Sequence, residues 1–561
     1  MSTSPIAPAP PAPRPRYAWA ARGDINAFFG LMLDNIGDMI LLASLLIGVF
    51  QFPREFVLTR MIPGTAVGVL VGDLIFTAMA FRLARRTGRA EVTAMPLGLD
   101  TPSTFGAVFL ILGPAFVAAK KAGMGELDAA RQAWFVGIAM ILASGVFKMA
   151  CALGSNSIRR LVPRAGLLGS LSAIALVLIS FLPLLDIARA PVAGMAALGV
   201  ILITLTARWR LPGNVPGALA AVVVGSLVYY LTGLLGLGLV PGEGEMARPS
   251  LSFRPALPMP MEAWWAWFRD SWRVAAGYLP VAIPLALGTI VGGIDCTESA
   301  ATVGDDYPTG QIVAAEGFAT IVAGVFGGVI QSTPYIGHPA YKAMGARAGY
   351  TLATALFVGA AGVFGYFDWI FYLLPKAVVF PILIFVGLEI AAQSFRATPT
   401  RHYPAVVLAC VPALAYLATL AVGQFVGGDP AAFAALRPEA RQYLQTITIL
   451  AGGFIVASLL WGTTLAHLID GRVRPAIVAL LLAAACALFG VIHSPLPGSP
   501  IVAPGEAIRL LKAAGRFETT AAQTPYHWAA AYAIAALLLV ALDAWGRRPD
   551  PTVSKELVRA D

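Results

Sequence analysis

Hydrophobic positions in this chain run in long unbroken segments rather than in short alternating ones. Sixteen apolar segments recur, most of them about 20 residues long, which is enough to cross a bilayer core of roughly 30 Å as a helix. We predict spans near residues 26–50, 63–84, 94–118, 131–154, 165–188, 190–207, 214–240, 277–303, 311–331, 333–350, 352–374, 376–395, 403–425, 445–468, 475–494 and 526–545. The pattern predicts an all-α polytopic membrane protein.

Two of these spans are interrupted by proline. The third contains the sequence MPLGLDTPS from Met95, and the tenth contains TPYIGHPA from Thr333. Proline removes a backbone donor and pushes the preceding residue toward extended geometry. We therefore expect both spans to be extended first and helical afterwards, with ordinary proline kinks as the alternative.

The third and tenth spans hold equivalent places in two consecutive seven-span units. A unit with an odd number of spans is inserted upside down when it is repeated in tandem, so we predict two inverted repeats. Irregular backbone at membrane depth is tolerated only beside protein or a watery cavity. The two breaks are therefore expected to face one central site, where half-helix N-termini present free N–H groups to a ligand.

Composition and charge agree with a membrane protein. Of the 561 residues 58% are hydrophobic and 12% are charged, and the net charge is +9. The basic residues lie in short loops, so they indicate topology rather than a nucleic-acid partner. Their bias predicts N- and C-termini on the cytoplasmic side of the cell membrane. The four cysteines lie within apolar runs, which indicates neither a disulfide nor a metal site, and no cofactor is predicted.

These patterns divide the chain into six parts. They are a disordered tail (1–22), a first seven-span repeat (23–240), an extracytoplasmic loop (241–276), a second and inverted repeat (277–468), two additional spans (469–545) and a second tail (546–561). The loop carries Trp264, Trp265, Trp267 and Trp272, a cluster typical of a helix lying at the membrane interface rather than of a ligand cage.

Asp295 and Glu298 in the eighth span are three residues apart, and Thr302 follows four later, so all three share one helical face. Two close carboxylates cannot both ionise cheaply in a dry site, so one of them should hold a proton near neutral pH. We predict proton coupling through this pair. The alternative is that one of the two is solvated near the end of its span.

Aligning Pro96 with Pro334 places Asp100 opposite His338 at the two breaks. His338 titrates in the physiological range and can donate to or accept from a polar heterocycle. Asp100 also suits the N-cap of the half-helix that follows it. We predict a substrate site made of Asp100, Thr101, Ser103, Asp295, Glu298, Gly337 and His338.

Other ionisable residues lie within spans. Asp34, Asn35 and Asp38 occupy one and a half turns of the first span, and a cation site and helix packing are both open for them. Structural pairing is the preferred interpretation for single acidic residues, namely Asp73, Glu316 and Glu389. Lys148 is expected to extend its side chain to the end of its span, and we assign it no function.

At these residues the chain resembles the xanthine/uracil permease family, the nucleobase-ascorbate transporters, and more closely an uncharacterised branch of it. The resemblance covers roughly residues 23–468. The segments that carry it are GDINAFFG from Gly23, the Thr93 to Pro102 segment, Glu298-Ser299-Ala300 and Tyr335-Ile336-Gly337-His338-Pro339.

The resemblance implies a core domain and a gate domain. The core (spans 1–4 and 8–11) would hold the site between short strands of spans 3 and 10, and the gate (spans 5–7 and 12–14) would mediate homodimer contacts. Family members that carry nucleobases use one glutamate of span 8 and another of span 10. Here His338 stands at the span-10 position, which puts recognition of a uracil or xanthine edge in doubt. The last two spans exceed the family's fourteen.

These features favour a secondary-active carrier of a nucleobase-like or other small polar solute, driven by protons or by sodium. A sulfate-type or carboxylate anion carrier of related fold is the second hypothesis, since half-helix ends suit an anion. The acidic residues at the same place argue against it. An enzyme is not expected, because only five His occur and no metal-ligand spacing appears.

Overall fold

The computed structural model describes residues 17–154, 163–237, 271–335, 337–426, 435–496, 502–513 and 523–546. Most of both predicted tails lies outside the described residues. So does most of the 241–276 loop, including the predicted interface helix through Trp264, Trp265 and Trp267. The side chain of Asp295 also lies outside the described part, although the backbone of its helix is included.

The first half of the chain forms seven helices and one short strand among the described residues. They are α1 (Gly23–Gly48), α2 (Arg54–Thr87), β1 (Leu97–Leu99), α3 (Thr101–Lys121), α4 (Glu126–Ala152), α5 (Leu168–Arg189), α6 (Pro191–Thr206) and α7 (Gly217–Leu234).

The second half of the described chain also contains one short strand among its helices. Its elements are α8 (Leu279–Thr302), α9 (Thr309–Val325), β2 (Ser332–Pro334), α10 (His338–Ala343), α11 (Gly349–Val363), α12 (Phe367–Leu373), α13 (Lys376–Arg396), α14 (Tyr403–Val426), α15 (Pro438–Ala451) and α16 (Phe454–Ile469). Three more helices follow: α17 (Val473–Leu488), α18 (Pro504–Ala513) and α19 (Pro525–Ala544).

Ten of the described helices are long and apolar enough to cross a membrane, and two bent pairs raise this to as many as twelve. Each of the sixteen predicted segments overlaps at least one of the elements above. Two predicted spans are bent rather than straight. The α11–α12 pair turns by 94° around Gly365, and the α15–α16 pair turns by 70° at Gly453. Both glycines have positive φ, which other residues adopt only with strain.

The helices pack into two bundles. We call α1, α2, α3, α4, α8, α9 and α11 the core bundle, in which α9 packs against α2 and α4 while α2 packs against α11. The gate bundle is formed by α5, α6, α7, α13, α14 and α16, with α5 packed on α13, α14 and α16. The additional helices α17 and α19 pack on each other, and α17 also contacts α16. The fold is therefore an all-helical membrane architecture with two inverted repeats.

The two broken spans meet as an antiparallel pair of strands. Gly98 faces Thr333 in the register, and Leu97 faces Pro334. The peptide N–H of Asp100, just after β1, donates to Gln331 O at 2.9 Å, and that of Tyr335, just after β2, donates to Pro96 O at 2.9 Å. Each strand is therefore bonded in the same way to the residue that precedes the other, as an inverted repeat requires.

The expectation of a strand followed by a helix is correct for both broken spans, but the two helices differ in length. α3 extends over 21 residues, whereas α10 has only six. Gly345, with φ of 81°, turns the chain soon after α10 and leads it into α11. The helix within the predicted segment 333–350 is therefore too short to cross a membrane.

Candidate functional site

Strand β1 has a free edge inside the core bundle, and polar side chains take the place of a third strand. Asn35 of α1 donates to Leu97 O at 3.3 Å and accepts from the Leu99 N–H at 3.0 Å. Asp73 of α2 accepts from the Leu97 N–H at 3.1 Å. Unpaired backbone groups would be costly here because there is no bulk water to replace the bonds. Asn35 and Asp73 therefore have a structural role at this edge.

Strand β2 has a free edge of the same kind, which is satisfied by different chemistry. Lys148 of α4 donates to Ser332 O at 3.0 Å, and Thr320 of α9 accepts from the Ser332 N–H at 3.3 Å. Cys296 of α8 lies 3.4 Å from Pro334 O. Proline has no N–H at this strand position, so no acceptor is needed there.

The start of α3 combines capping with a contact to the first helix. The carboxylate of Asp100 accepts from the Ser103 N–H at 2.8 Å, and the Ser103 hydroxyl donates to Asp100 O at 3.1 Å. The hydroxyl of Thr101 donates to Asp38 at 3.0 Å. The N-cap interpretation of Asp100 is therefore the one that the geometry supports, and one of its oxygens is already engaged.

A cavity of about 790 Å³, counting its open mouth, lies where the strand pair meets the gate bundle. Its walls come from α1, the β1–α3 junction, α5, α8, β2 and α13. The polar groups on these walls include hydroxyl, amide and carboxylate side chains, namely Asp34, Asp100, Thr101, Thr289, Thr333, Glu389, Gln393 and Ser394. This mixture of apolar wall and few polar groups is typical of a small-molecule site.

The charged groups on the described cavity walls are all acidic. Glu389, towards the mouth, pairs with Arg396 at 3.0 Å. Asp34 is 2% exposed, and its Oδ1 has no hydrogen-bond partner within the described part of the chain. No Lys, Arg or His lines the cavity among the described residues. The cavity is therefore suited to ligands that donate hydrogen bonds or carry positive charge, protons included.

The structure does not bring all the predicted site residues to this cavity. Asp100 and Thr101 line it, whereas Ser103 lies behind the junction, on a second and smaller cavity. Glu298 is half-buried on α8 and is not among the lining residues. Nothing is described for the side chain of Asp295.

Gly337 and His338 lie at the other end of the strand pair from Asp100. In an antiparallel pair the residues that follow the two strands point to opposite ends, so aligned positions do not face each other. His338 Nε2 lies 3.2 Å from Thr93 O and 3.4 Å from Asp305. His338 is therefore part of a buried cluster before β1 rather than of the cavity wall.

Asp305, in the loop between α8 and α9, is the centre of that cluster. It accepts from the Thr93 N–H at 3.0 Å and pairs with Arg89 at 3.2 Å and with Lys342. Burial alone would raise the pKa of Asp305, but hydrogen bonds from His338 and Lys342 outweigh burial, and its pKa lies below the ordinary value. The cluster fastens the segment that enters β1.

The expectation that Lys148 extends to the end of its span is wrong. Its ammonium group lies 2.7 Å from Glu316, and both side chains are fully buried. The structural pairing expected for Glu316 is thus present, with a partner that the sequence did not indicate. The signal was available in principle, because a lysine and a glutamate within two apolar spans each require a partner.

Comparisons with known proteins concern the fold of the chain rather than its site. No protein-family model and no curated protein matches the chain. Among solved structures it is similar to the transmembrane domain of the cyanobacterium bicarbonate transporter BicA, at 15% identity and a TM-score of 0.44, over 79% of this chain and 97% of that one.

Two structures of SLC26A9 are also similar. The overall structure of SLC26A9 matches at 13% identity and a TM-score of 0.47, over 71% of this chain and 61% of that one. The murine Slc26a9 anion transporter in the inward-facing state matches at 14% identity and 0.47, over 82% and 69%. At these values the similarities carry no inference about the solute.

Proposed function

We propose that this protein is a secondary-active transporter that moves a nucleobase-like or other small polar solute together with protons by alternating access. The observation that carries the proposal is the acidic cavity between the core bundle and the gate bundle, placed against the strand pair. A site at the junction of two inverted repeats is reached from either side when one bundle moves against the other.

The cavity walls support a neutral or cationic polar solute. Asp100 and Thr101 lie at the β1–α3 junction, and Gln393 and Ser394 face the cavity from α13 in the gate bundle. Together they offer acceptors from one bundle and an amide and a hydroxyl from the other. A flat heterocycle with N–H and C=O groups would use both sets.

The same walls argue against an anion. An anionic solute would lie beside Asp34 and Asp100 in a partly dry site without a lysine or arginine on the described walls. Two of the similar structures are those of a bicarbonate transporter and an anion transporter, so uptake of an anion is the competing outcome of the test.

Proton coupling is supported by the surplus of buried carboxylates. Asp295 and Glu298 of α8 stay the predicted coupling pair, with sodium at Asp34 and Asp38 as the alternative. The N-terminal and C-terminal tails are expected on the cytoplasmic side of the cell membrane, and the gate bundle is the expected homodimer surface.

Uptake by proteoliposomes tests the proposal. Purified protein is reconstituted, an acidic exterior is imposed, and accumulation of radiolabelled uracil, xanthine, adenine, sulfate and bicarbonate is measured separately. We expect uptake of a nucleobase that collapses when a protonophore removes the gradient. Gradient-independent uptake of sulfate or bicarbonate alone would replace the proposal with an anion carrier.

Variants then connect the activity to the cavity. Asp100→Asn is expected to reduce uptake, because it keeps an oxygen for the Ser103 N–H but removes the charge at the wall. Glu298→Gln is expected to reduce proton-driven accumulation more than exchange at equal pH. Asp128→Asn, on the exposed start of α4, is the matched control.

A further inference from the structure

A buried ion pair lies behind the cavity, and neither of its members is among the residues that line the cavity. Lys148 of α4 and Glu316 of α9 are 2.7 Å apart and fully buried. A charged group within a span is costly, and a buried pair is often no more stabilising than apolar side chains of similar shape. Stability alone therefore does not explain why both charges are present.

The pair is connected to the cavity through α8. Thr289 of α8 lines the cavity and lies near the Glu316 carboxylate, although its hydroxyl donates to Ala286 O at 2.8 Å. A Cβ atom on Gly293 would come within 2.7 Å of Glu316 Oε2 and within 3.5 Å of Pro334. The absence of a side chain at Gly293 thus lets the carboxylate lie against the backbone of the cavity wall.

The pair is also connected to β2. The ammonium group of Lys148 donates to Ser332 O at 3.0 Å, and Thr320, one turn after Glu316, accepts from the Ser332 N–H at 3.3 Å. A change in the charge of Glu316 would therefore be felt by the group that holds the edge of this strand.

Few other charges face the pair from the elements packed against it. From the β1–α3 junction, Asp100 acts on both Lys148 and Glu316. From α2, Asp73 is engaged with the Leu97 N–H. From α8, Glu298 lies further along the helix, and the side chain of Asp295 lies outside the described part. Lys148 is thus paired with Glu316 behind the cavity, and it acts on Asp100 at the cavity wall only through longer-range electrostatic attraction.

We propose that Glu316 is a proton-accepting group of the carrier and that Lys148 transmits its protonation to strand β2 and to Asp100. A proton that arrives from the cavity along the face of α8 that carries Thr289 and Gly293 neutralises Glu316. Lys148 keeps its charge and its bond to Ser332 O, and its attraction to Asp100 is no longer offset by a charge on Glu316. The negative field of Asp100 at the cavity wall is thereby weakened, which favours entry of a solute with carbonyl acceptors.

This inference rests on the proposed proton-coupled transport, but its test needs no solute. The full-length protein in detergent is titrated from about pH 9 to about pH 5 while infrared difference spectra record protonated carboxyl groups. We expect a buried carboxyl signal to appear on acidification in the wild type. Glu316→Gln is expected to lose that signal, and Glu389→Gln, the same change at the cavity mouth, is expected to keep it.

Lys148→Met supplies the second arm. Without its cation the buried carboxylate favours the neutral form, so the signal is expected to persist at the alkaline end of the titration. A carboxyl signal that remains in Glu316→Gln, or that titrates in Lys148→Met as in the wild type, overturns the inference. So does a wild-type spectrum without any protonation step.

The double variant Lys148→Met/Glu316→Gln is the control for misfolding of the single variants. It removes both charges at once, is expected to fold, and should lack the signal. If the signal survives in the double variant, another carboxyl group is its source and the inference fails. If the wild-type protein shows the infrared titration but takes up no nucleobase, the proposed function is contradicted and Glu316 is still a proton site.

Discussion

The two strands of the pair satisfy the backbone groups on their free edges with different side chains. β1 is bonded along its free edge by an amide and a carboxylate, Asn35 and Asp73, and is followed by a long, capped helix. β2 is bonded by a lysine and a hydroxyl, Lys148 and Thr320, and is followed by a helix of six residues without a side-chain cap.

The difference assigns the two halves different tasks. The β1 half brings Asp100 and Thr101 to the cavity, so its fixed hydrogen bonds define the shape of the site. The β2 half carries a buried cation that is shared with Glu316, and its following helix ends in the Asp305 cluster. The two repeats thus share one backbone arrangement. Their side chains differ, because only the free edge of β2 is held by a buried ion pair.

The largest effect is expected at the charged edge. Lys148→Met leaves Glu316 buried without a cation and Ser332 O without its donor, which should lower the free energy of unfolding by about 3–5 kcal/mol. The double variant with Glu316→Gln should recover much of this loss. Chemical denaturation in detergent gives the three values, and equal losses in the single and double variants would mean that the two charges are not coupled.

The free edge of β1 should cost less to break. Asn35→Leu removes the partners of Leu97 O and Leu99 N–H, and we expect a loss of about 2–4 kcal/mol in the same denaturation assay. Ser44→Ala, on the same helix, changes a buried hydroxyl with no hydrogen-bond partner among the described residues and is expected to be nearly neutral. A neutral Asn35→Leu would show that β1 does not need its side-chain edge.

A smaller effect separates capping from charge at the start of α3. Asp100→Ala removes the cap and should cost about 1 kcal/mol, whereas Asp100→Asn keeps an accepting oxygen and should cost a few tenths. Solute binding by the two variants is expected to fall together, because both lack the charge. Binding retained by Asp100→Asn alone would make this residue a cap and nothing more.

The smallest expected effect is the change with pH, near neutral pH, in the stability that the Asp305 cluster contributes. Because the folded-state pKa of Asp305 is lowered, its contribution to stability is present above the unfolded pKa of about 3.9 and is lost as pH falls through the folded value. The stability difference between wild type and Asp305→Asn should therefore be constant between about pH 6 and pH 8. It should shrink in thermal unfolding below about pH 4, and a difference that grows there would refute the sign.

Local patterns predicted the backbone of the broken spans well. Pro96 and Pro334 lie beside or within the two strands, and Pro102 lies in the first turn of α3, because proline excludes helix before it and tolerates helix after it. The series of apolar segments likewise predicted the order of the helices. In lipid a chain has few other ways to form the hydrogen bonds of its backbone.

Three-dimensional proximity was harder to predict. His338 aligns with Asp100 along the chain, but antiparallel pairing carries it to the other end of the strands. The partner of Lys148 is 168 positions away in sequence, so helical spacing within one span could not reveal it. Asn35 was recognised as polar within a span, yet its role depends on a strand edge that only the assembled core bundle brings within reach.

The side-chain bonds at both strand edges also have a mechanical consequence. The pair is fastened to α1 and α2 through Asn35 and Asp73 and to α4 and α9 through Lys148 and Thr320. Displacing the strands alone would break bonds to four helices at once. The strand pair is therefore fixed to the core bundle at four helices. In the proposed alternating access, the movement would lie between this bundle and the gate helices α5 and α13, on the opposite wall of the cavity.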